Sequence, residues 1–128
     1  MQVRLADSND LIGVMTVLDA AMLDATAQTV SRRIDADNVL VAVSQRRVLG
    51  ALVAVPRREG AHVEQVAVRR RRRDSGIGTA LVETAADRWG RLTADFDPHV
   101  RPFYEKLGFE IEPLRSDRYR GERPGQPA

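Results

Sequence analysis

The chain has 128 residues, 43% apolar and 30% charged, with a formal net charge of +2, the make-up of one ordinary domain with a real core and no room for a second. It has no cysteine, which excludes a disulfide, a thiolate metal site and an acyl intermediate carried on a thiol. No apolar run nears the roughly 20 residues that cross a bilayer, and Asp7 and Asp10 interrupt any leader-like start, so a cytoplasmic chain without membrane contact is expected.

Val3 and Leu5 alternate with polar neighbours as a first short strand. Asp7 or Ser8 caps a helix over 8–23, in which Leu11, Val14, Met15, Leu18 and Met22 recur at helical spacing. A second helix covers 26–34, and 35–38 form a polar break. Strands follow at 39–43, 48–55 and 61–68, joined by turns at 45–47 and 56–60 into a meander. Helical spacing returns over 76–89, with Ile77, Ala80, Leu81, Thr84 and Ala85 on one face and Gly90 as the stop. A strand at 92–96, a short helix at 100–107, Gly108 as a left-handed cap and a strand at 109–114 follow. The order β-α-α-β-β-β-α-β-α-β predicts an α/β chain, a mixed sheet with helices on its faces. One domain is expected over 1–120, with a loose tail over 121–128, where two prolines and two glycines fall in eight residues.

One junction carries chemistry. The strand ending at Val68 runs into Arg69 to Arg73, an unbroken arginine run in a chain whose only lysine is Lys106, then into Gly76-Ile77-Gly78 and a helix. A helix start offers free backbone N–H groups and the positive end of its dipole. Glycines there let the main chain approach an anion closely. Gly76 and Gly78, with Thr79 beside them and arginines around, make a diphosphate cradle. It is neither a GxxxxGK[ST] loop, because no lysine follows, nor a GxGxxG fingerprint. His62 and His99 are too few for a zinc cluster, and no acidic residues gather at ligand spacing, so no metal is expected.

Arg73-Asp74-Ser75-Gly76-Ile77-Gly78 satisfies (Arg/Gln)-x-x-Gly-x-(Gly/Ala), and Tyr104-Glu105-Lys106-Leu107-Gly108-Phe109 closely matches the ending Tyr-x-x-x-Gly-Phe of an aromatic-rich helix. With both motifs at their proper separation, the chain resembles the GCN5-related N-acetyltransferases over nearly its whole length. The resemblance implies a mostly antiparallel sheet with a splayed parallel pair, here 61–68 and 92–96, and acetyl-coenzyme A in the gap. It implies that main-chain groups of Val66, Ala67 and Val68 bond the pantetheine arm, and that Arg73, Asp74, Ser75, Gly76, Ile77, Gly78 and Thr79 hold the diphosphate. It implies direct transfer of the acetyl group to an amine.

An amine with a pKa near about 10.4 must lose a proton before it attacks, and the departing thiolate must be protonated or stabilised. Tyr104 matches the family tyrosine near the sulfur and is the candidate acid. For the base, Glu64 and His62 both stand. They are expected on one strand face together with Val66 and Val68; Glu64 ranks first as nearer the thioester, while His62 has the better ordinary pKa. The position seven residues before Tyr104, Asn in many relatives, is Asp97 here, followed by Pro98. Two other readings compete: an acyl-coenzyme A sensor without turnover on the same fold, and a nucleic-acid module built on Arg69–Arg73. Scarce aromatics, 5%, and a near balance of acids and bases speak against the second. The acceptor's identity is not legible; Asp19, Asp24, Asp35 and Asp37 would suit a cationic amine. Homodimers through sheet edges or helices are common in such folds.

Overall fold

The computed structural model describes residues 1–21, 25–73 and 75–125. Seven strands form one sheet: β1 (Gln2–Leu5), β2 (Val39–Ser44), β3 (Arg47–Arg57), β4 (Gly60–Val68), β5 (Leu92–Phe96), β6 (Glu110–Arg115) and β7 (Arg118–Arg123). Their order across the sheet is β1-β2-β3-β4-β5-β7-β6. Among the described residues, only β4 and β5 run parallel. Helices α1 (Leu11–Ala20) and α2 (Ala27–Asp35) pack on one face, α3 (Ile77–Trp89) and α4 (Arg101–Lys106) on the other.

Burial on both faces explains the apolar run of β2, Val39 to Val43: Leu40 and Ala42 face α3, while Val39 and Val41 face α1 and α2. Leu52, Leu81 and Leu92 are fully buried on the α3 side, each contributing about 1.5–3 kcal/mol by leaving water. The entry to α1 is fastened by a reciprocal cap. Asp7 accepts from the Asn9 amide at 2.8 Å, and Asp10 accepts from the Asp7 amide at 2.9 Å. Arg4 on β1 grips Asp10 at 2.8 Å and holds its carboxyl below the ordinary range.

The feature that positions the site is a bulge in β4. Val53 pairs with Gln65, but Ala54 pairs with Val63, which leaves Glu64 as an extra residue. The side-chain alternation therefore slips by one. His62 and Glu64 face the α1/α2 side, whereas Val66 and Val68 pack into the α3-side core with Ala61 and Val63. The expectation that His62, Glu64, Val66 and Val68 share a face is thus corrected, since strict period-two counting cannot see an inserted residue.

Other expectations shift as well. The first helix starts as a 3-10 turn, Ser8–Asp10, and ends at Ala20; its predicted last turn, with Met22 and Leu23, lies outside the described residues. Pro56, expected in a turn, sits inside β3 opposite Ala61. The Ala61 amide bonds the Arg91 carbonyl at 2.9 Å, away from β3, so Pro56 occupies a rung where a missing N–H costs nothing. The tail expected to loosen at Gly121 is ordered through Arg123 as part of β7, a strand the sequence did not announce. Its charged residues are held from outside: Arg118 by Asp97, Arg120 by Asp95 and Arg123 by Glu83.

Candidate functional site

β4 and β5 pair at only three rungs, Ala61 with Leu92, His62 with Thr93 and Val63 with Ala94. Beyond them the strands part, the bulge at Glu64 falling at the point of separation. The Arg69 amide donates to the Leu49 carbonyl at 2.8 Å. Because hydrogen-bonded rungs alternate along an antiparallel ladder, Ala67 and Gln65 bond β3, while Val66 and Val68 turn their main-chain groups toward the gap. Of the three residues named for that role, Ala67 faces the wrong way. The Val68 carbonyl accepts from Arg73 Nε at 3.3 Å.

The gap leads to the start of α3. Gly76 has φ +87°, the left-handed region, and a side chain built there would meet nothing within 4 Å, so the glycine opens free space in front of the helix. The first bond within the helix runs from the Ala80 amide to the Gly76 carbonyl at 2.9 Å, so the amides of Ile77, Gly78 and Thr79 precede it as first-turn donors with no acceptor inside the helix. These groups fit an anion with several acceptor oxygens. Gly78 serves packing instead: a Cβ there would stand 3.0 Å from the Phe103 ring. The arginine run divides its labour. Arg69 Nε bonds the Val48 carbonyl at 2.7 Å, Arg73 turns back to Val68, and Arg70, Arg71 and Arg72 form an exposed 3-10 turn. Ser75 Oγ donates to the Arg72 carbonyl, and Asp74 lies outside the described residues.

Tyr104 stacks on Phe96 at 4.2 Å and meets Phe103 and Phe109 edge-on, both at 5.1 Å. Phe96 lies two residues past the last β4–β5 rung. Helix α4 therefore braces both walls of the opening, β5 through Tyr104 and α3 through Phe103. Burial pushes the Tyr104 phenol up to about 12.

On the α1/α2 side of the same parting stands a set of side chains. His62 Nδ1 lies 2.7 Å from Thr93 Oγ1 on the facing rung. Burial lowers the His62 pKa most, helped by Arg57 and Arg120 and opposed by Asp95 and Glu64. Arg120 grips Asp95 with both arms at 2.8 and 3.2 Å, and that bond keeps the Asp95 carboxyl below the usual range. Glu64 is paired at 3.2 Å with Arg33 of α2. A cleft of about 260 Å³ opens beside it, lined by Ala25, Thr26, Thr29, Val30, Val53, Glu64 and Gln65. Asp97 is paired with Arg118 at 3.0 Å and makes no side-chain cap.

Thr93, Asp95, Arg120 and Arg33 were missing from the sequence reading of the site. Period-two acids at and just past the end of β5, Asp95 and Asp97, against period-two arginines in β7, Arg118 and Arg120, are a signal that could have found part of this set. Arg33 carries no such signal. Among the described residues, no three His, Asp or Glu are grouped to hold a metal, and no helix is long and apolar enough to cross a membrane.

Residues 35–111, more than half of the chain, match the family model of the acetyltransferase (GNAT) domain. No match was found among curated proteins. Among solved structures, the chain superposes on Ard1 of Thermoplasma volcanium with a TM-score of 0.85 at 19% identity, covering 98% of each chain. The PaiA N-acetyltransferase of Thermoplasma acidophilum, solved with coenzyme A, gives 0.83 at 14% identity, over 96% of this chain and 98% of that one. The ribosomal-protein-S18-alanine N-acetyltransferase of Escherichia coli gives 0.81 at 16%, over 99% and 95%. At such identities the likeness is one of fold.

Proposed function

The chain belongs to the GNAT acetyltransferases, which move an acetyl group from acetyl-coenzyme A to an amine, and from that premise we propose how its residues share the work. The observation that carries the reading is the parting of β4 and β5 after Val63 and Ala94, with main-chain donors on one side and His62 on the other. Bound in this gap, acetyl-coenzyme A would supply a thioester, whose sulfur leaves as a thiolate and takes its proton from solvent. Main-chain groups of Val66 and Val68 hold the pantetheine amides. The amides of Ile77, Gly78 and Thr79, reached over Gly76, hold the diphosphate, with Arg70, Arg71 and Arg72 adding positive charge around it.

His62 is the base. Its burial favours the neutral imidazole, the form that accepts a proton from the incoming amine. Glu64 instead orients the acceptor, because its carboxylate borders the cleft beside α2 and already holds a cation, the Arg33 guanidinium. Tyr104 remains a protonated phenol throughout the working pH range and donates a hydrogen bond to the sulfur. A thiol of pKa about 8.5 is a stronger acid than this phenol, so Tyr104 stabilises the leaving group by hydrogen bonding without ending as phenolate.

The test is thiol release from acetyl-coenzyme A with a panel of primary amines, run beside calorimetric titration with acetyl-coenzyme A. Amine-dependent release, lost in His62→Ala with cofactor affinity retained, is the expected result. Micromolar binding with no amine-dependent release from any class of amine would make the protein an acyl-coenzyme A sensor.

A further inference from the structure

We infer that Thr93 is a positioning residue for His62, anchoring Nδ1 so that Nε2 is the bare nitrogen presented to the acceptor amine. This rests on His62 being the base.

His62 and Thr93 are partners on the middle of the three parallel rungs that join β4 to β5. Both side chains leave the sheet on the α1/α2 face, and the rung spacing brings Thr93 Oγ1 to 2.7 Å from Nδ1. A neutral imidazole carries one proton, and the nitrogen that carries it cannot act as base. A threonine hydroxyl both donates and accepts, so the distance alone allows either tautomer. The catalytic cycle decides between them. Once Nε2 has taken the proton, both nitrogens are donors, and Thr93 must then accept from Nδ1–H. If it also accepts before the transfer, the bond survives the whole proton movement and nothing in the site has to turn. The charged groups around the ring do not compete for Nδ1. Asp95, from β5, is gripped by both arms of Arg120 from β7, and Glu64, from β4, is paired with Arg33 of α2. Arg57 of β3 and Arg120 carry no acceptor.

The chain has two histidines, His62 and His99, so the imidazole nitrogens are readily assigned in a long-range ¹H–¹⁵N spectrum of the uniformly labelled protein. The expected spectrum has His62 as the Nδ1–H tautomer, with Nε2 unprotonated. Thr93→Val should move it toward a mixture and lower kcat about fivefold, the population a single net hydrogen bond holds. The acid limb of kcat/KM should shift to lower pH, because the imidazolium loses its acceptor, and the affinity for acetyl-coenzyme A should not change. Thr93→Ser should restore all three. A wild-type spectrum with His62 as the Nε2–H tautomer overturns the inference with no variant needed. So does a Thr93→Val protein with unchanged kcat and acid limb beside an inactive His62→Ala. Full turnover in His62→Ala overturns the base assignment itself, and the role of Thr93 falls with it.

Discussion

On the α3 side of the β4–β5 parting, the groups aimed at the gap are main-chain groups: those of Val66 and Val68, and the first amides of α3 beyond Gly76. On the α1 side they are side chains: His62, Thr93 and Glu64, each tied to a partner on another element. A main-chain site tolerates most substitutions and is broken by bulk. A side-chain site is broken by loss of one functional group and keeps its shape when its neighbours change. The single extra residue at Glu64 creates both, because it turns His62 to one face and Val66 to the other.

The largest effect should come from adding bulk on the main-chain side. Gly76→Val should abolish measurable acetyl-coenzyme A binding in calorimetry. A side chain at φ +87° costs about 1–2 kcal/mol in strain, so the melting temperature should fall by only about 3–8 °C. Retained affinity in the folded variant would mean the diphosphate is held elsewhere. On the other side, His62→Ala should lower kcat by about 10²–10⁴ with unchanged cofactor affinity. The wild-type rate should fall as pH drops through a His62 pKa below the usual value of about 6.5, and this acid limb should vanish in the variant. A limb that persists would assign it to another group.

Tyr104 sits in the α3-side core, and its removal should have a smaller effect. Tyr104→Phe keeps the stacking on Phe96 and should lower kcat about tenfold, as loss of one hydrogen bond to a charged group does. The pKa sign gives a second readout. With the folded phenol at about 12 against an ordinary value of 10.0, its contribution to stability is full below pH 10 and is lost as pH rises through about 12. The wild type should therefore lose about 3 kcal/mol over that window, a loss absent from Tyr104→Phe in urea titrations. The smallest effect belongs to Arg33→Ala. The half-exposed pair with Glu64 contributes about 0–1 kcal/mol, so stability should barely change, whereas KM for a cationic acceptor should fall severalfold as Glu64 is freed. An unchanged KM would remove Glu64 from the acceptor site.

The same contrast explains what the sequence disclosed. The cradle and the aromatic helix are written in contiguous residues, Arg73 to Gly78 and Tyr104 to Phe109, because main-chain geometry is set by local glycines and helix starts. Gly108, read as a left-handed cap, does have φ +82°. The side-chain half is assembled from β4, β5, β7 and α2. Thr93 lies 31 residues from His62 along the chain, and Arg33 lies 31 from Glu64. Nothing in β4 marks Glu64 as an inserted residue, so the face of every side chain after it was read wrongly. β7 escaped notice for a related reason: Arg-Tyr-Arg-Gly-Glu-Arg lacks the apolar alternation of a strand and gains its order from acids on β5 and α3.

An amide NMR titration of the labelled protein with acetyl-coenzyme A distinguishes the two halves of the site directly. Saturable shifts should concentrate at Val66, Val68 and the amides of Gly76, Ile77, Gly78 and Thr79, with Thr26 and Thr29 beside the cleft little affected. Shifts centred on Thr26, Thr29 and Glu64, or none at millimolar cofactor, would contradict the division of the site into a main-chain half for the cofactor and a side-chain half for the acceptor.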